Sequence, residues 1–165
     1  MRKYVAALVV VLMLALSPRA PGQRGASTTL VVRVMPEARI DPSRIALEFR
    51  VADTVVQTVN VAAWVRSLPN QQIRVSARLE KLEGPNGPVP VTAVSWTGAV
   101  AHATAGGNQA RCTSDAFAAG QSQDLTLGWR QSGTLTCTFA FRLAESNNLA
   151  PGLYSGTVDL SVTTQ

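Results

Sequence analysis

Beyond residue 40 the chain alternates apolar and polar side chains with period two. Ile45, Leu47, Phe49 and Val51 alternate with Arg44, Ala46, Glu48 and Arg50. Val59, Val61, Ala63 and Val65 do the same against Thr58, Asn60, Ala62 and Arg66, as do Ile73, Val75, Ala77 and Leu79 against Arg74, Ser76 and Arg78. Leu135, Cys137, Phe139 and Phe141, and finally Tyr154, Val158, Leu160 and Val162, complete the set. Such alternation puts one face of each strand in a core and the other in water. Turn residues separate the runs at Asp41-Pro42, Pro69-Asn70, the Gly84 to Pro88 stretch, Gly106-Gly107-Asn108 and Pro151-Gly152. Further strands are expected over 28–35, 91–96 and 125–129, which makes about eight or nine. Residues 101–123 are small, polar and weakly patterned, and are expected to form a long loop. The fold class is therefore all-β, a single β-sandwich of antiparallel strands.

The first twenty residues break this rhythm. Arg2 and Lys3 precede an unbroken apolar run over 5–16, and Ser17, Pro18, Ala20, Pro21 and Gly22 follow it. A charged start, a short apolar stretch and a small-residue exit make the pattern of a secretory signal peptide. The run falls short of the roughly 20 apolar residues a spanning helix needs. Cleavage is expected near Gly22, leaving residues 23–165 as one domain that is secreted, periplasmic or on the cell surface, without a membrane span. No cysteine stands at the exit to carry a lipid.

Removing the leader changes the charge. The whole chain is +5, but Arg2, Lys3 and Arg19 leave while all ten acids stay, so 12 basic groups face 10 acidic ones at a net +2. The basic residues do not gather on one face as a nucleic-acid site requires, so no nucleic-acid partner is expected. In an oxidising compartment the two cysteines, Cys112 and Cys137, are expected to form a disulfide that pins the long loop to the core edge. The alternative is a pair of free thiols. Two cysteines and one distant histidine lack metal-ligand spacing, and no cofactor is expected.

Candidate chemistry is thin. His102 is the only histidine, and Asp115 or Asp124 is the acid a Ser-His-Asp arrangement would draw on, but no G-x-S-x-G elbow accompanies it. Asp115 and Asp124 lie in the same weakly patterned region, without the dense oxygen ligands of a calcium loop. Trp96 and Trp129 continue apolar faces and are expected in the core. Trp64 instead falls in register with Asn60 and Arg66 on a polar face, where an indole stacks on a sugar ring or anchors a partner. The other reading of Trp64 is a bulge that turns it inward or a loop that covers it. Arg50, Arg66, Arg74 and Arg78, with Glu48 and Glu80 between them, form at most a mixed-sign stripe.

Pro151-Gly152-Leu153-Tyr154-Ser155-Gly156-Thr157-Val158, followed by Leu160-Ser161-Val162-Thr163, resembles the closing hairpin of bacterial secreted sandwich proteins such as spore coat protein U-like and pilin-like subunits. The stretch from Pro42 to Phe49, then Gln57 to Val61, resembles the opening strands of bacterial Ig-like modules. Those subunits usually carry a cysteine near the mature N-terminus, and here both lie in the second half. The resemblance implies an Ig-like sandwich that assembles with itself or with other surface subunits by edge-strand pairing. Thr28 through Met35 is then either a donor strand or the first strand of its own domain. The expected function is a non-enzymatic structural or adhesive surface subunit. The alternative is a carbohydrate-binding module using Trp64, Asn60 and Arg66.

Overall fold

The computed structural model describes residues 35–51, 56–144 and 149–165. Twelve strands appear among them: β1 (Glu37–Asp41), β2 (Arg44–Val51), β3 (Val56–Arg66), β4 (Ile73–Gly84), β5 (Gly87–Val89), β6 (Val94–Ala105), β7 (Arg111–Cys112), β8 (Asp115–Ala116), β9 (Gln123–Asp124), β10 (Thr126–Leu127), β11 (Gly133–Leu143) and β12 (Gly152–Thr164). They form a β-sandwich. One sheet has the order β1-β3-β11-β6-β8, and the other β2-β12-β4-β5, with β9 on the same flank of β4 as β5. Every pairing is antiparallel. A small ribbon of β7 and β10 completes the set.

Alternation is what makes the core. Leu47, Phe49, Val61, Val65, Leu79, Leu135, Phe139, Phe141 and Val158 are all buried from the odd-numbered or period-two positions the sequence marks. Their outward neighbours on β2 and β3 are exposed or half-exposed. Burying one such large apolar side chain contributes about 1.5–3 kcal/mol. A β-bulge interrupts β4, where Glu80 and Lys81 are both exposed between buried Leu79 and Leu82.

The N-terminal strand serves both sheets. β1 pairs with β3 over Ala62 to Arg66, and the chain then turns at the cis Asp41-Pro42 bond and continues as β2, paired with β12. β1 is a strand that alternation did not mark, because only Ile40 faces the core in its five residues. The expected strand from Thr28 lies outside the described residues except for Met35, which is exposed.

Three expectations are corrected. Residues 101–123 are not one loop: β6 runs on to Ala105 by accommodating a bulge opposite Thr136 and Cys137, and β7 and β8 follow. Residues 91–93 form a 3₁₀ turn rather than the start of a strand. Residues 125–129 do not alternate as one strand: Leu125 and Trp129 are buried, but Leu127 is 53% exposed and Thr126 is buried. Gly128, at φ 78°, turns the chain there. Thr126 is tolerated inside because its Oγ1 accepts the Val75 N–H at 3.1 Å.

The segment over 106–130 closes one side of the sandwich. Phe117 enters the core with its ring 4.9 Å from Trp96 and 6.2 Å from Phe141. The Phe117 N–H donates to Val94 O in one sheet, and the Leu125 N–H donates to Val75 O in the other. The Cys112–Cys137 disulfide ties the same segment to β11, as the sequence led one to expect.

Candidate functional site

The sequence directs attention first to Trp64. It lies half-buried on the outer face of the first sheet, and no bulge turns it inward. Its register is set by Arg39 on β1 and Thr134 on β11. The guanidiniums of Arg39 and Arg66 each sit 5.9 Å from the indole centroid, a cation–π distance. Glu37 holds both cations: Arg39 donates to its Oε1 at 2.7 Å, and Arg66 to its Oε2 at 3.1 Å. Arg39 was missed from the sequence because it stands on a strand too short to show alternation.

Asn60 shares the face with Trp64 but not its immediate surroundings. It lies four residues away, roughly 13–14 Å along a strand, and its Oδ1 accepts from Thr138 Oγ1 at 2.7 Å. On the β11 and β6 side the rows between them are uncharged, filled by Thr134, Thr136, Thr138, Thr104 and His102, whereas on the β1 side Arg39 stands opposite Trp64 and Asp41 opposite Ala62. His102 stands opposite Thr136 and is exposed. It is not brought together with Asp115 or Asp124.

Those two aspartates do line one open concavity of about 590 Å³, with Arg74 and Arg111. Asp124 faces Arg74 at 3.5 Å, and Asp115 Oδ1 accepts the N–H of Ala116 at 2.8 Å. Each carboxylate is thus engaged within the chain. Among the described residues, no group of three or more His, Cys, Asp and Glu side chains is arranged to hold a metal.

The stripe of arginines divides between the sheets. Arg66 faces outward from the first, whereas Arg50, Arg74 and Arg78 face outward from the second, where acids answer them: Arg78 lies 3.8 Å from Glu80, and Arg44 lies 2.7 Å from Asp159. No sustained basic patch results.

The side of the sandwich opposite the 106–130 segment is built differently. Because β1 leaves the first sheet at Asp41, residues 56–61 of β3 have no strand on that side among the described residues. Likewise β2 has only β12 beside it. Among the described residues, a single side chain hydrogen-bonds across the two edges. Gln57 Oε1 accepts the Glu48 N–H at 2.8 Å, and Gln57 Nε2 donates to the Ala46 carbonyl at 2.9 Å. The carboxamide makes the pair of bonds a neighbouring strand would make. Ile40, Val51 and Val59 pack against the core along this side yet remain partly exposed.

No family model matches the chain, and no curated protein matches it either.

Proposed function

We propose that the chain is exported, loses its leader near Gly22, and serves as a non-enzymatic, Ig-like structural or adhesive subunit at a cell surface. The observation that carries this reading is the open side. Two strand edges lie next to each other, backed by the partly exposed Ile40, Val51 and Val59. Unpaired edges with apolar backing are templates for another extended strand. The partner is a second copy or another subunit that adds a strand there. Gln57 occupies two of the ladder bonds on β2 and so holds the edge quiet until a strand displaces it.

Light scattering on the exported, oxidised protein tests this. Oligomers that grow with concentration are expected. They should be weakened by Ala46→Pro, which removes a backbone donor from the outer edge of β2 and leaves the pairing with β12 in place. They should be strengthened by Gln57→Ala. A monomer at every concentration, in the wild type and in Gln57→Ala alike, sinks the proposal.

The second reading is a carbohydrate-binding module at Trp64, Asn60 and Arg66. In its favour is the row Trp64, Thr134 and Thr104, an indole beside hydroxyls. A sugar ring stacking there has to displace Arg39 or Arg66. Glycan-induced change in tryptophan fluorescence, lost in Trp64→Ala, is its signature.

A further inference from the structure

One pole of the sandwich carries a concavity of about 680 Å³ whose lining differs from every other part of the surface described above. Four carboxamide residues, Asn70, Gln72, Gln109 and Gln131, line it with Ser67, Ser132 and its one charge, Arg130, and the Ser67 Oγ is itself buried. No acid lines it. Leu68, 45% exposed, and Pro69 add a small carbon surface.

Three separate segments build this lining, and each is fixed by bonds that leave the side-chain amides of Asn70, Gln109 and Gln131 free, while Gln72 Oε1 accepts from Arg74 at 3.3 Å. The turn between β3 and β4 is joined to the stretch before β11 by a reciprocal pair: the Ser67 N–H donates to Ser132 Oγ at 3.0 Å, and Ser132 Oγ donates back to Ser67 O at 3.3 Å. Gln72 and Gln165 exchange backbone bonds at 2.7 and 2.9 Å. Gln131 O accepts the indole N–H of buried Trp129 at 2.8 Å. The 3₁₀ turn over Gly106–Gln109 is pressed against the same stretch so closely that a Cβ on Gly106 would collide with Gln131. Asn70 takes the left-handed conformation at φ 67° at the tip of the first turn, as asparagine tolerates there. Within the described residues, no hydrogen bond or ion pair takes up the side chains of Asn70, Gln109, Arg130 or Gln131.

We infer that this polar groove binds an acidic glycan, a chain of hydroxylated sugars bearing carboxylates. The inference goes beyond the surface-subunit reading above and does not depend on it. Each carboxamide offers both a donor and an acceptor, which suits the paired donor and acceptor character of sugar hydroxyls. An unpaired guanidinium matches a carboxylate with two parallel bonds. The lining is too polar for an ordinary apolar ligand pocket, and the lone cation without a neighbouring acid selects for negative charge.

The test is calorimetric titration of the exported, oxidised protein with trigalacturonate and with its methyl ester, which keeps the hydroxyls and loses the charge. Trigalacturonate is expected to bind, and the ester about tenfold more weakly. Arg130→Gln should erase that difference while leaving ester binding unchanged, and Gln109→Ala should weaken both ligands. Arg130 and Gln109 are exposed, so both variants keep the fold. An absence of binding, equal binding of acid and ester, or binding untouched by both substitutions overturns the inference. So does an acidic peptide of equal charge that binds as well as trigalacturonate, since charge alone would then suffice. Light scattering on the same samples separates the two ideas. Oligomers without glycan binding leave the surface-subunit reading standing and remove this site, whereas a monomer that binds trigalacturonate does the reverse.

Discussion

The two sides of the sandwich close by opposite means. On one, a whole segment over 106–130 spans the sheets, bonded to Val75 and Val94, filled by Phe117 and tied down by the Cys112–Cys137 disulfide. On the other, one carboxamide, Gln57, reaches from β3 to the edge of β2. The first closure combines a disulfide, a buried aromatic ring and backbone hydrogen bonds to both sheets. The second consists of two hydrogen bonds at an exposed edge, each contributing about 1 kcal/mol net. The difference teaches that, among the described residues, the open side presents the smaller obstacle to the strand partner proposed above.

The contrast is broken most severely from the core. Phe139, fully buried with its ring tilted 40° to that of Phe141, should cost about 3–5 kcal/mol when truncated to alanine. Val59→Ala on the open side should cost less than about 1.5 kcal/mol, because Val59 is only partly covered. Urea unfolding of the two variants measures both, and comparable losses would mean the open side is as tightly packed as the core. Next in size is the disulfide. Replacing Cys112 and Cys137 together by serine should lower stability by about 3 kcal/mol, as expected for a closed loop of this length, while leaving oligomer formation at low urea intact. Loss of assembly in that variant would link the two sides. The smallest effect belongs to Gln57→Ala, about 1–2 kcal/mol of stability, accompanied by stronger self-association. Weaker association would show that Gln57 helps pairing rather than delaying it.

The long strands were legible because each has one dry face and one wet face, and that division writes itself into the sequence at period two. Ile45, Leu47 and Phe49, and Leu135, Cys137, Phe139 and Phe141, are buried as their alternation implies. The 106–130 segment was not legible, because its conformation is set by what it touches. Phe117 is a single apolar residue with no periodic neighbour. Thr126 is buried only because Val75 supplies a hydrogen bond, and Gly128 changes the parity between Leu127 and Trp129. The outward setting of Trp64 could be read from its register, whereas the cations over its ring depended on a five-residue strand that leaves no pattern. The amide groove at the pole lay beyond sequence reasoning altogether. Its residues come from three turns, and turn residues carry no periodicity to bring them together.

Four glycines hold the bonded side and the pole to their present spacing. A Cβ on Gly98 would strike the carbonyl of Thr113, one on Gly107 that of Thr134, one on Gly133 that of Thr104, and one on Gly106 that of Gln131. In each case the obstacle is main chain, which cannot swing aside as a flexible side chain would. These positions are therefore shut to mutational drift, even to alanine, while the strands around them tolerate any apolar residue of suitable volume. Three of them, Gly98, Gly106 and Gly107, precede the strand of Cys112, and Gly133 opens the strand of Cys137, so the spacing of glycine and cysteine along the chain carries the geometry of this corner.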